Sequence, residues 1–152
     1  MQYNSIVKQM NIAIGGDHAG FEYKNSIKEH LEKIGHTVHD FGPLTEESCD
    51  YPDIAHPLAN SIESGKNTLG IAICGSGNGI NMTLNKHQEI RSALCWEVNL
   101  AKLARQHNNA NVLALPSRFI SLELAKECAE AFVNENFEGG RHERRVNKIR
   151  LV

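Results

Sequence analysis

The sequence predicts a three-layer α/β/α protein of a single domain, built on a Rossmann-like, five-stranded parallel sheet. Three observations carry this. Short apolar runs alternate with longer stretches of helical periodicity along most of the chain. The runs are apolar at successive positions, as strands covered on both faces are. No linker, internal repeat or low-complexity segment divides the 152 residues, a length that one hydrophobic core can serve.

Each element has its own signal. Residues 11–16 (Asn-Ile-Ala-Ile-Gly-Gly) form a strand that ends at a turn. Residues 21–34 form a helix with Ile27, Leu31 and Ile34 at helical spacing, and Gly35 stops it at the C′ position. The second strand covers 36–41, a helix 53–64, the third strand 69–74, and a short helix 77–85. A fourth strand over 92–95 leads to a helix over 97–106, and 112–115 is the fifth strand. The helix over 121–133 opens with Ser121 as N-cap and Glu123 in its first turn. The tail over 141–151 is basic and helical, with a C-terminal helix at about 141–150. Residues 1–10 form an extension ahead of a domain at 11–152.

Composition narrows the function. Apolar residues make up 41% and charged residues 22%, with a net charge of −2. That balance is ordinary for a globular protein, and the net charge does not point to nucleic-acid binding. No apolar stretch reaches the length of a membrane-spanning helix. The opening ten residues lack the apolar centre of a signal peptide. Four scattered cysteines (Cys49, Cys74, Cys95, Cys128) form no Cys-x-x-Cys pair. This speaks against a zinc ribbon or disulfide framework and fits a reducing cytoplasm. Eight histidines include no His-Glu-x-x-His pattern, and His36-x-x-His39 falls across a strand, so no metal site is expected.

Ligands of such sheets bind beyond the carboxyl ends of the strands. That rule gathers Gly16-Asp17-His18, the stretch from Cys74 to Gly79, and Pro116-Ser117-Arg118. Cys74-Gly75-Ser76-Gly77-Asn78-Gly79 is the most informative of them. Its glycines let backbone N–H groups crowd round an anion, and such dipoles favour a thiolate beside them. The same stretch also fits a tight strand-to-helix turn around an inert buried cysteine. Alternating glycines do not match Gly-x-Gly-x-x-Gly, and no Gly-Lys-Ser/Thr ending follows, so a nucleotide loop is disfavoured.

Arg141 and Arg145 stand four apart, on one face of a helix, where two guanidinium groups suit a phosphate. A solvated basic face is the alternative, and Gly139-Gly140 adds a hinge or anion site before it. Asp17-His18 suits sugar hydroxyls or phosphate, although Asp17 also suits an N-cap. His107, in Arg105-Gln106-His107-Asn108-Asn109, is either a general acid-base or a cation at a helix C-terminus. Asp50-Tyr51-Pro52 adds a carboxylate and a hydroxyl.

Taken together, these segments resemble the ribose-5-phosphate isomerase B family, which includes the galactose-6-phosphate isomerase subunits. The matching pieces are Gly16-Asp17-His18-Ala19-Gly20-Phe21, Asp50-Tyr51-Pro52, the Cys74–Ile80 stretch, Asn85-Lys86, Ile90-Arg91 with Ala93, Arg105-Gln106-His107-Asn108, Asn111-Val112-Leu113, Ser117-Arg118, and Glu138-Gly139-Gly140-Arg141-His142 with Arg145. They run in family order over nearly the whole chain. The resemblance implies cofactor-free interconversion of an aldose phosphate and a ketose phosphate, in the pentose phosphate pathway for a five-carbon substrate. It implies Cys74 as the base that moves a proton between C2 and C1, with Ser76 assisting. The amides of Gly75, Ser76, Gly77, Asn78 and Gly79 would hold the enediolate. His107 would open the furanose ring with Asp17 assisting, and Tyr51 and Asn108 would hold sugar hydroxyls. His18, Arg118, Arg141 and Arg145 would hold the phosphate. It also implies homodimers, some paired into tetramers, with sites completed across the dimer interface.

Two positions depart from the family pattern. Some relatives carry a glutamate where this chain has Ile80, which leaves Cys74 as the base. Pro116 replaces a common glycine before Ser117-Arg118, which fixes φ and removes an N–H. Competing expectations are an isomerase of a six-carbon sugar phosphate (allose or galactose 6-phosphate), a non-catalytic phosphate-binding module, and a redox role for Cys74 with Cys95.

Overall fold

Five parallel strands form one sheet: β1 (Asn11–Gly16), β2 (Thr37–Asp40), β3 (Leu69–Cys74), β4 (Ser92–Leu94) and β5 (Val112–Pro116). Their order is β2-β1-β3-β5-β4. The computed structural model describes residues 8–151. The helices are α1 (Phe21–Lys33), α2 (Tyr51–Glu63), α3 (Asn78–Leu84), α4 (Val98–Asn108), α5 (Leu122–Asn134) and α6 (Arg141–Val146), with a 3₁₀ turn at His18–Gly20. Among the described residues no helix is long and apolar enough to cross a membrane.

Alternation along each strand divides the core in two. Ile12, Ile14, Ile71, Ile73, Leu113 and Leu115 face one side, against residues of α1, α4 and α5. Ala13, Ala72, Cys74, Val112 and Ala114 face the other, against α2 and α3. Both strand faces are therefore apolar, but the second bears smaller side chains, and α2 lies close over it. A Cβ on Gly70 would meet Ile62 Cδ1 at 2.9 Å.

Local chemistry sets the ends of the elements. α1 closes on a Schellman pattern: Gly35 takes φ +106°, the Gly35 N–H donates to Glu32 O, and the His36 N–H donates to Leu31 O. α2 begins at Tyr51, two residues before the expected start, because Pro52 is accommodated in a first helical turn. α6 ends at Val146, short of residue 150. Val146 is its single buried residue, and the Lys148 and Ile149 N–H groups donate three residues back, so the chain tightens into turns. The expected extension falls largely on residues 1–7, outside the described residues. Met10 already joins the sheet, since its carbonyl accepts from Thr37 N–H.

Topology then separates two ends. The chain leaves β1 for β2 on one side and returns to β3 on the other, which opens a switch point between the loops after β1 and β3. Helix α4 runs back antiparallel to the strands, and Asn108 at its end stands four residues before Val112, where β5 starts. His107 and Asn108 thus lie at the amino edge of the sheet, whereas Cys74 lies at the carboxyl edge. At ~3.3 Å per residue, β3 alone keeps the two edges about 16 Å apart.

Candidate active site

At the carboxyl edge the switch point gathers Asp17, His18, Cys49, Asp50, Tyr51 and Arg118 around a hollow of about 610 Å³. Asp17 does cap the 3₁₀ turn: its Oδ1 accepts from Ala19 N–H at 2.9 Å and Gly20 N–H at 3.1 Å. That bonding bears out the cap and leaves Oδ2 without a partner among the described residues. His18 Nδ1 accepts from Cys49 N–H at 3.3 Å, which makes Nε2 the protonated, donating nitrogen.

Cys74 ends β3 at 4% exposure. The turn after it is tied on both strands' continuations: Ser117 N–H donates to Cys74 O, and Arg118 N–H to Gly75 O. The guanidinium of Arg118 lies over Gly75, where a Cβ would come within 3.2 Å of it. Gly77 takes φ +76°, the left-handed conformation that opens α3. The ring of Tyr51 rests directly on Gly79, so any side chain there would displace it. The Asn78 N–H donates to Ser76 Oγ. The amides of Gly75, Ser76, Gly77 and Gly79 have no acceptor among the described residues and remain available to an oxyanion. Ser76 and Asn78 open toward a second, apolar hollow lined by Leu94, Trp96, Pro116 and Phe119.

Pro116 leaves this turn intact. The residue after it donates to β3, so by strand alternation Pro116 faces the β4 side, beyond the point where β4 ends. No ladder bond is lost there.

At the amino edge, the left-handed Asn109 (φ +47°) ends α4. Arg105 Nη1 donates to Ala110 O at 2.6 Å, and Arg91 Nε to Asn109 O at 2.8 Å, which clamps the turn that carries His107 and Asn108. Glu138 N–H donates to Gln106 O and docks the entry of α6 against the end of α4. The His107 and His142 rings stack at 4.2 Å with 13° between planes. Glu138 Oε2 lies 3.9 Å from His107 Nε2 and 3.8 Å from His142 Nε2. Partial burial, then the positive charge of His107, Arg141 and Arg145, holds the His142 imidazolium below the usual histidine range. Arg141 and Arg145 are exposed on α6.

The residues expected to act together therefore fall into two groups within one chain. Asp17, His18, Tyr51, the loop from Cys74 to Gly79 and Arg118 gather at the carboxyl edge. His107, Asn108, Arg141 and Arg145 gather at the amino edge. Glu138 and His142 carried no expected role. No sequence pattern joined them, because Gly139 and Gly140 take positive φ and break the helix between Glu138 and His142.

A thiol at a strand end, free amides beside it and a basic, imidazole-bearing edge are the parts of a sugar-phosphate isomerase. The family model for ribose/galactose isomerases matches residues 12–149, and the chain belongs to that family. It is 44% identical over 141 residues to ribose-5-phosphate isomerase B of Escherichia coli, covering 93% of this chain and 95% of that protein. The crystal structure of a ribose 5-phosphate isomerase from Thermotoga maritima superposes with a TM-score of 0.91 at 47% identity, covering 94% and 99% of the two chains. Ribose-5-phosphate isomerase B from Mycoplasma genitalium, solved with bound ribulose-5-phosphate, has a TM-score of 0.88 at 43% identity and covers 91% and 93%.

Proposed function

We propose that this chain interconverts D-ribose 5-phosphate and D-ribulose 5-phosphate through an enediolate, without a cofactor, and that each site takes one edge of the sheet from each of two copies. The observation that carries the reading is the division of one chemistry between opposite edges of a rigid sheet. The thiol and its amides cannot meet the same chain's His107 and arginines across about 16 Å. A second copy brings the complementary edge, since twofold pairing presents the same two patches in exchange. Trp96 (55% exposed) and Phe119 (75% exposed) beside the cysteine loop supply apolar surface for such a contact. Free thiols and the metabolic role fit the cytoplasm.

The chemistry runs in three steps. His107, with Asp17 assisting, takes the O1 proton of the furanose and passes it to the ring oxygen O4 as the C1–O4 bond breaks, so that C1 becomes an aldehyde. The Cys74 thiolate then takes the C2 proton, and the electrons pass to O1, where the amides of Gly75, Ser76, Gly77 and Gly79 meet the developing charge. The O2 proton moves to O1, relayed by the Ser76 hydroxyl, and the thiol returns its proton to C1, which leaves the carbonyl at C2. Arg141, Arg145, His18 and Arg118 hold the phosphate, and Tyr51 and Asn108 the hydroxyls.

Parallel assays on ribose 5-phosphate and allose 6-phosphate test the substrate. Turnover of the pentose at least about tenfold above the hexose is expected, because one extra carbon displaces the phosphate from its arginines. Comparable rates would overturn the pentose assignment, and no turnover of either would overturn the isomerase reading.

A further inference from the structure

At the amino edge, Glu138 and His142, which have no part in the proposed isomerisation, stand against His107. His107, His142 and Glu138 each offer one ligand atom, and these atoms lie within 4.8 Å of one another. We propose that they form a divalent-cation site of the zinc type, and that the occupied site shuts off ring opening. The inhibitory part rests on the role given to His107 above; the binding part does not.

Two neutral imidazoles and a carboxylate are a donor set that zinc takes, at about 2.0–2.2 Å per ligand. Neighbouring donors on a tetrahedral ion then stand about 3.4 Å apart. Glu138 Oε2 is 3.8 and 3.9 Å from the two Nε2 atoms and the whole donor set spans no more than 4.8 Å, so closure needs side-chain movement and no change of backbone. The backbone already fixes the frame. Two left-handed glycines, Gly139 (φ +67°) and Gly140 (φ +55°), turn the chain between Glu138 and the start of α6, and the Glu138 N–H donates to Gln106 O, next to His107. The stacked rings lie nearly parallel, so one turns about its Cβ–Cγ bond to converge on the ion. Neither Nε2 has a hydrogen-bond partner among the described residues, and the side chains of His107 (37% exposed) and Glu138 (53%) leave an entry path.

Other histidine pairs lack these properties. His56 Nδ1 and His87 Nε2 are bonded to each other at 2.7 Å, with His87 Nδ1 held by Glu63. His30 meets only Glu130. Arg141 and Arg145 oppose a cation, but both are exposed and screened by solvent. Direct coordination outweighs them, and the result is an exchangeable site rather than a structural one. The open fourth position accepts water or an anion held by the arginines. A metal on His107 Nε2 occupies the lone pair that would take the O1 proton.

Zn²⁺ titrated into the full chain by calorimetry, and Co²⁺ followed by visible absorption, read binding without turnover. One ion per chain is expected, with affinity lowered more than about tenfold in Glu138→Gln and in His142→Asn and unchanged in His56→Asn. Absent binding, or wild-type affinity in either ligand variant, overturns the site. Inhibition by Zn²⁺ is expected to be several-fold stronger with ribose 5-phosphate than with ribulose 5-phosphate, whose phosphorylated O5 cannot close a furanose ring. Equal inhibition in both directions would place the inhibitory ion elsewhere, on the Cys74 thiol among others, and overturn the link to ring opening.

Discussion

The two edges of the sheet build their chemistry from different materials. At the carboxyl edge it is mostly backbone: free amides, a left-handed glycine and a thiol at 4% exposure, flanked by Asp17, Asp50 and Asp53. Such groups are already oriented, and reorganise little as charge develops on a substrate. At the amino edge it is long, exposed side chains on a short helix, steadied by the Arg105 and Arg91 clamps beneath. Those side chains bring formal positive charge, which a dianionic phosphate needs and amides cannot fully supply. In the proposed reaction the preorganised edge serves the enediolate and the sugar hydroxyls and adds His18 and Arg118 to the phosphate; the adaptable edge brings Arg141 and Arg145 and the mobile proton. Each lacks part of what the other has, which is the ground for proposing that a second copy completes the site.

The largest effect comes from breaking each edge in turn. Cys74→Ala and His107→Ala should each lose at least about a hundredfold in turnover, the scale of general acid-base catalysis. Co-expressed and purified together, the two dead variants should recover about a quarter of wild-type activity: half of randomly mixed dimers are hybrid, and one of the two sites in each hybrid is intact. No recovery in mixed dimers, or a monomer by sedimentation, would show that the edges do not meet between copies.

A smaller effect sharpens the charge contrast. Arg141→Ala removes one charge-assisted contact, worth about 1.5–3 kcal/mol, which should raise KM for ribose 5-phosphate about ten- to hundredfold. Steady-state kinetics check it, and kcat should change much less, because the phosphate does not react. An unchanged KM removes Arg141 from the phosphate site.

The carboxyl edge was the more legible in sequence. Apolar runs such as Leu69 to Ile73 place the strands, and the strand-end rule then gathers Asp17, Cys74 and Arg118 with no further information. Pattern could also locate His107 at the end of a helix. It could not place that end opposite Cys74 in space, because the strand order β2-β1-β3-β5-β4 is set by long-range packing. Only the family resemblance supplied the idea of a shared site. The cluster of His107, Glu138 and His142 escaped for a similar reason. His107 sits about thirty residues before the other two, and the stack between the two histidine rings exists only once α6 packs on α4.

The smallest expected effect concerns stability, and it also divides the edges. His36, at 5% exposure beside the start of β2, accepts the Met10 N–H on Nδ1 at 3.2 Å. Its Nε2 therefore carries the proton, and no partner meets it among the described residues. Burial holds its pKa below the usual value. Protonation must break the Met10 bond and place a charge in the core edge. A folded-state pKa below the unfolded value of about 6.5 means that the unfolded chain binds more protons in the window between them. The stabilising contribution is thus complete above about pH 6.5 and is lost as pH falls through the folded value. His142 at the same edge has the same sign. Denaturant midpoints measured from pH 7 to pH 5 should fall in the wild type and fall less in His36→Asn, whose carbonyl keeps an acceptor for Met10 without titrating. Parallel curves for the two proteins would detach acid sensitivity from His36, and leave the amino edge distinguished by its charge alone.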